Sequence, residues 1–323
     1  MTKLATAVML AFAAGVIAAP PAFSQDYPTK TVRIIVGFSP GGGNDITARI
    51  LAKFLGDTYK QQFIVENRPG AGTIIGVDAV AKADPDGYTL LVTNNSLAVN
   101  HTLYPKLPYD TLKDIAPIVK AGSTPNVLVI HPSLPVKTVA AFITLAKAQP
   151  DRIAYASAGT GSTAFLAAEL LKMLTGIKML HVPYKGTSPA ITSILSGETQ
   201  ALVGALPATV PHIKNGRLRA LAVTSAKRAT AMKEIPTMIE SGVKDFDFET
   251  WYGVFGPGKL PRDLVARLNA SVNKVIAQPA VREQFERQGI DTEGGTTETF
   301  DKQVRAEIAA MAKVIKASGA KPE

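Results

Sequence analysis

The stretch from Thr31 to Ala52, TVRIIVGFSPGGGNDITARILA, admits few folds, because its backbone must pass from strand to tight turn to helix within a short span. Thr31 to Phe38 is β-branched and apolar, the composition of a buried strand. Ser39-Pro40-Gly41-Gly42-Gly43 cannot continue that strand, since glycines and a proline favour a sharp turn. Asn44 or Asp45 suits a helix N-cap, and Ile46, Ile50, Leu51, Phe54 and Leu55 recur at helical spacing. Such a junction aims backbone N–H groups and the positive end of a helix dipole at one spot, which suits an anion. The same order returns later. Arg152 to Ala156 reads as a short strand, Ser157-Ala158-Gly159-Thr160-Gly161-Ser162 as a loop, and Thr163 to Leu174 as an amphipathic helix. Either loop alone is as readily an ordinary β-to-α turn as an anion nest. Two of them, in two halves of the chain, point to an acidic group held between lobes.

Alternation of strand and helix continues throughout. Phe63 to Asn67 is a strand, Thr73 to Ala83 a helix, and Tyr88 to Thr93 a strand ending in Asn94-Asn95-Ser96, polar residues at the carboxyl end where open α/β sheets bind ligands. Val127 to His131 opens a second run, through Thr138–Gln149, Met179–Tyr184, Ser188–Ser196, Ala201–Ala205 and Leu218–Thr224. The tail is helical over Pro261–Gln278, Ala280–Gln288 and Thr297–Ser318. This regularity predicts an α/β protein of two lobes, each a mostly parallel sheet flanked by helices. The lobes are expected to join near Lys120–Pro125 and again near Ser225–Glu240, giving one domain of 25–124 plus 226–323 and another of 125–225. Two crossings suit a hinge-closing binding protein.

Met1 to about Ser24 reads as a secretory signal peptide. Lys3 supplies a positive start, Ala5 to Ala19 the apolar region, and Ala22-Phe23-Ser24 a small-x-small cleavage site before Gln25. The absence of cysteine removes disulfides and a lipid-bearing cysteine, so an exported protein of the periplasm is expected. Formal charge is +9, from 35 Lys and Arg against 26 Asp and Glu, and +8 without Lys3. No Lys/Arg run exceeds two and no aromatic-basic alternation appears, so a nucleic-acid partner is not expected.

Enzyme signatures fail one by one. Gly159-Thr160-Gly161-Ser162-Thr163-Ala164 fits G-x-G-x-x-A, but Tyr184-Lys185-Gly186 stands where a dinucleotide site wants an acid. There is no P-loop and no G-x-S-x-G. The four histidines, His101, His131, His181 and His212, lack paired spacing, so no metal and no cofactor is expected. His181 could act as a base, but no local signature supplies a nucleophile, and a structural histidine is the simpler reading. Asp45 already has a sufficient role as a first-turn acid. Trp251, within Phe248 to Phe255, either stacks on a ligand or packs a domain joint, and the joint is favoured.

Seven segments, in order, resemble the periplasmic substrate-binding receptors of tripartite tricarboxylate transporters, the Bug receptors. They are YPTKTVRIIVGFSPGGGNDITAR, VENRPGAGTIIGVDAVAKADPDGYTLL, YASAGTGS, HVPYKG with TSPAITSILSG, GRLRALAVTSAKR, IPTMIESG and TWYGVFGP. The resemblance spans nearly the whole chain beyond the signal peptide. It implies a flytrap-like periplasmic-binding-protein fold and a carboxylate held in the interdomain cleft by backbone amides of two opposed loops and by ordered waters. The matching positions are Phe38, Ser39, Pro40, Gly41, Gly42, Gly43, Asn44 and Asp45 in one lobe and Ser157 to Ser162 in the other. Further contact regions match Thr93, Asn94 and Asn95, and Tyr184, Lys185, Gly186 and Thr187. Bridging waters would let one scaffold take varied acids.

One departure bears on the ligand. Many relatives carry an acidic or amide pair where this chain has Gly204 and Ala205. Without those groups, the expected ligand ends in an apolar group, a ring or a second acid rather than an α-amino group. The expectation is a receptor, not an enzyme, that captures a di- or tricarboxylate or an aromatic acid and delivers it to membrane components of such a transporter. A monomer is expected, since closing lobes need room. The alternatives are a secreted hydrolase of a carboxylate ester or amide, and a receptor that feeds a sensor.

Overall fold

The computed structural model describes residues 27–321; the signal-peptide reading and its cleavage site fall outside the described residues. The first lobe opens with β1 (Val32–Val36), buried on both faces: Val32, Ile34 and Val36 on one and Ile35 on the other. The glycine turn then releases α1 (Gly43–Tyr59), which lays Ala48, Leu51, Ala52 and Leu55 against the sheet. Fully burying a leucine there contributes roughly 1.5–3 kcal/mol. Next come β2 (Phe63–Asn67), α2 (Ile74–Ala81), β3 (Thr89–Asn94) and α3 (Ser96–Leu103). Strands β1, β2 and β3 are parallel.

A long strand, β4 (Ile115–Ile130), then enters the second lobe. There follow α4 (Val139–Ala148), β5 (Ala154–Ser157), α5 (Thr163–Thr175), β6 (Leu180–Pro183), α6 (Thr187–Leu195), β7 (Ala201–Ala205), α7 (Leu206–Lys214) and β8 (Arg219–Val223). Strand β5 pairs in parallel with β6 and β7. The chain returns through β9 (Glu249–Pro257) and ends with α8 (Arg262–Ile276), α9 (Pro279–Arg287), β10 (Asp291–Thr292) and α10 (Thr297–Ser318).

The sheet order is β2-β1-β3-β9-β4-β7-β5-β6, with β8 and β10 also on β4. Each lobe has a parallel core, but every pairing made by β4 and β9 is antiparallel. The sheet is therefore mixed rather than mostly parallel. The reason is topological: a chain that crosses between lobes and comes back must run its returning strand against its outgoing one.

The segment Lys120–Pro125, which reads as a turn-rich joint, is instead part of continuous β4. Its residues through Pro125 pair with β9, and from Asn126 onward the strand pairs with β7 and β8. Register shifts on either side of Val119 and Lys120 absorb the irregular residues. Gly122 is required because a Cβ there would meet the Asp291 carbonyl oxygen of β10 at 2.5 Å. The second expected joint, Ser225–Glu240, also packs: Met232 and Ile235 are buried with Val127, Val129 and Leu206. The chain leaves the second lobe later, where Thr224 Oγ1 donates to the Phe248 carbonyl oxygen at 2.6 Å and Thr250 Oγ1 to Asn126 Oδ1 at 2.7 Å.

Candidate functional site

Four helices begin at one small cavity between the lobes. Helix α1 contributes Gly43 and Asn44, and α5 its cap Ser162 with Thr163 and Ala164. Thr187 opens α6, Ala205 caps α7, and Asn94 stands just ahead of α3. Phe38, Ala158 and Tyr252 complete the wall. Among the described residues, no Asp, Glu, Lys, Arg or His lines the cavity. Its volume open to a water-sized sphere is about 10 Å³, the space of about one water.

Helix geometry makes this cavity electropositive without a charged side chain. The first intrahelical bond of α1 is Ile46 N–H to Gly42 O, so the preceding amides of Gly43, Asn44 and Asp45 have no helical carbonyl to meet. In α5, Leu166 N–H takes Ser162 O and Phe165 N–H takes Ser162 Oγ, leaving Thr163 and Ala164 in the same position. A helix N-terminus favours an anion by roughly 0.3–2 kcal/mol, and here four of them converge. Two polar side-chain atoms at the cavity, Asn44 Oδ1 and the Tyr252 hydroxyl, are buried with no hydrogen-bond partner among the described residues.

The other sequence-predicted residues hold this arrangement from behind or clasp the lobes. Asp45 does not line the cavity: its carboxylate accepts from Gly41 N–H and Arg49 Nε at 2.9 Å and from Asn67 Nδ2 at 3.0 Å, bracing the glycine turn. Burial pushes its pKa up, but those bonds outweigh burial and hold the acid below its usual value. Ser39 Oγ donates to the Lys185 carbonyl oxygen, and Ser188 Oγ to the Pro40 carbonyl oxygen, both at 2.6 Å. Gly41 and Gly186 allow that contact, because a Cβ on the first would meet Ser188 Oγ at 2.9 Å and on the second Ser39 at 3.0 Å. Gly42 caps α1 with ordinary spacing to Thr187.

A second clasp joins α3 to the other loop. Gly161, with φ of +87°, lies against Leu103 and Asn100, and a Cβ on Gly72 would meet the Thr160 carbonyl oxygen at 3.2 Å. Ser157 is fully buried; its Oγ lies 2.7 Å from His181 Nε2 and accepts from Gly159 N–H at 3.1 Å. The His181 ring packs between Tyr155 and Phe165, with centroids 4.9 and 4.8 Å away. This pair has the two groups of an acyl-transfer site, but its serine has no exposed surface and braces the Gly159 turn. Tyr184 N–H closes the neighbouring strand on Ser157 O.

Thr93 is buried within β3. Asn94 Oδ1 accepts from Ser96 N–H at 3.0 Å, starting α3. Asn95 turns from the cavity: its Oδ1 accepts from Trp251 N–H and its Nδ2 donates to Glu307. Gly204 and Ala205 lie on opposite faces of β7, so Ala205 meets the cavity, while a Cβ on Gly204 would meet Leu202 and Thr209.

Trp251 packs on Phe300 of α10, ring centroids 5.3 Å apart, and its Nε1 donates to Glu307. Tyr252, next along β9, points to the opposite face and into the cavity. Sequence reading missed Tyr252, Thr163 and Ala164. The helix-start position of the last two was a usable signal; for Tyr252 there was only the alternation against Trp251. Gly43 leaves no room for a side chain, because a Cβ there would fall 2.0 Å from the Tyr252 hydroxyl oxygen.

Two parallel half-sheets hinged by antiparallel strands, with helix N-termini facing across a cleft, define a two-lobed periplasmic binding protein. Residues 47–320 match the family described as tripartite tricarboxylate transporter family receptor, and the chain belongs to it. That family is one of substrate-binding receptors rather than enzymes. Protein BugT of Bordetella pertussis is 38% identical over 323 residues, covering 99% of each chain. Among solved structures, R. palustris Rpa4515 with adipate has a TM-score of 0.89 at 34% identity, covering 92% of this chain and all of that one. MatC from Rhodopseudomonas palustris with bound malate has a TM-score of 0.85 at 29% identity, covering 90% of this chain and 100% of its own. Among the described residues no helix is long and apolar enough to cross a membrane.

Proposed function

We propose that this receptor captures a small dicarboxylate, tricarboxylate or aromatic acid in its cleft and delivers it to the membrane components of a tripartite tricarboxylate-type transporter. The observation that carries the reading is the convergence of four helix N-termini on a cavity that no charged side chain among the described residues lines. Backbone amides hold a carboxylate without the desolvation cost of a buried counter-charge. The same lining argues against an α-amino acid, since no carboxylate is present to pair with an ammonium group. Adipate and malate in the relatives' structures support the acid class.

The site comprises the cavity-lining residues together with the two clasps. The lobes are 25–124 plus 226–323 and 125–225, with 226–247 packed on the second. They part to admit the ligand, because the cavity between them is far smaller than any dicarboxylate. Closure then brings the 157–162 and 185–188 loops onto the 39–45 turn and presents a joint surface to the membrane partner. The chain works as a monomer in the periplasm, after removal of a leader near Ser24.

Calorimetric titration of the mature protein with succinate, adipate, malate, citrate, benzoate, aspartate and glutamate tests the reading. Binding by one or more of the amine-free acids, with aspartate and glutamate weaker, is expected. Tighter binding of aspartate or glutamate would refute the ligand class.

A further inference from the structure

The cavity wall contains a group that neither packing nor the rest of the protein explains. Tyr252 is 1% exposed, and its hydroxyl has no hydrogen-bond partner among the described residues. A phenylalanine would fill the same volume, and a buried hydroxyl without a partner is a net cost to the folded chain. The ring is held in place from several sides. Strand β9 pairs Tyr252 with Asn94 of β3 and with Gly122 of β4, which fixes the direction of its side chain. Gly43, the first residue of α1, lacks the Cβ that would otherwise occupy the position of the phenol oxygen. The hydroxyl therefore sits beside the amides at the α1 N-terminus, facing the same cavity.

We infer that the Tyr252 hydroxyl is a side-chain donor of the carboxylate site, completing with the α1 amides a set of donors for one ligand oxygen pair. The assignment rests on the carboxylate reading above. Burial raises the tyrosine's pKa, so the group stays protonated and donates at every pH the protein meets. It adds directionality beside the helix-start amides: an amide nest accepts an anion of any shape, whereas a fixed phenol selects an oxygen at one place.

The test is Tyr252→Phe in the full mature chain, compared with wild type by calorimetry against succinate, adipate, malate, citrate and benzoate, and by thermal unfolding without ligand. Loss of one hydrogen bond to a charged oxygen predicts an affinity about 10- to 100-fold weaker for each acid that wild type binds. The ligand-free melting temperature is expected to be unchanged or higher, because the cost of the buried hydroxyl has been removed. Equal affinity in the two proteins overturns the assignment alone. A lower melting temperature of the ligand-free variant overturns it too, by revealing an internal partner for the hydroxyl. If wild type binds none of these acids, the carboxylate reading falls and the assignment with it.

Discussion

Removing the serine clasp separates closure from ligand contact. Ser39 and Ser188 each donate to a backbone carbonyl of the opposite lobe, and neither lines the cavity. Both bonds exist only when the lobes meet, so they stabilise the closed form alone. A net hydrogen bond contributes about 0.5–1.5 kcal/mol, and exposed ones belong at the lower end. Ser39→Ala with Ser188→Ala therefore removes about 1–2 kcal/mol from closure. Because the apparent dissociation constant scales inversely with the closed fraction, affinity should fall about 5- to 30-fold. Calorimetry with any acid that wild type binds reads the affinity, and small-angle scattering of the ligand-free protein reads the expected shift toward a larger radius of gyration. Unchanged affinity together with an unchanged scattering curve would refute the clasp.

The remaining predictions concern the cavity and its support. Gly43→Ala forces a methyl group against the Tyr252 phenol and should cost about 1–3 kcal/mol in urea denaturation, the usual penalty of overpacking; no loss would mean the two residues are not in contact. Asp45→Asn should destabilise by about 1–3 kcal/mol at neutral pH through the loss of a bracing carboxylate. Since the folded-state pKa of Asp45 is depressed, its contribution is present above the unfolded value of about 3.9 and lost as pH falls through the folded value. The gap between variant and wild type in thermal unfolding should thus close in acid, and a constant gap would contradict this. Ala205→Asp puts a carboxylate at the α7 cap facing the ligand. Acid binding should weaken roughly tenfold or more, since like charges brought together cost several kcal/mol, and undiminished titration curves would place Ala205 outside the site.

What the chain discloses on its own is what is local. The strand, glycine turn and helix at Val32–Tyr59 need only their own residues, so that junction was legible, and the second one around 157–162 likewise. Pairing across distance was not. Lys120–Pro125 has the composition of a turn, and only β9 alongside makes it a strand. Ser225–Glu240 looks like a polar linker until Met232 and Ile235 meet the second lobe's core. Tyr252 lines the cavity because β9 lies antiparallel to β3 opposite α1, a relation no window of sequence contains. Asp45, Asn95 and Ser157 were singled out by residue type and position. Their side chains lie outside the cavity wall, where they accept from the Gly41, Trp251 and Gly159 amides.

The account's central claim is that helix-start amides, not charged side chains, receive the ligand. Amide-resolved NMR of deuterated, nitrogen-15-labelled mature protein, titrated with an acid found by calorimetry, measures this directly. The amide protons of Gly43, Asn44, Thr163, Ala164 and Thr187 should move downfield together and saturate with the same dissociation constant, as expected for N–H groups taking up a carboxylate. If those resonances stay in place while the acid shifts only residues around surface lysines, the helix N-termini are not the site.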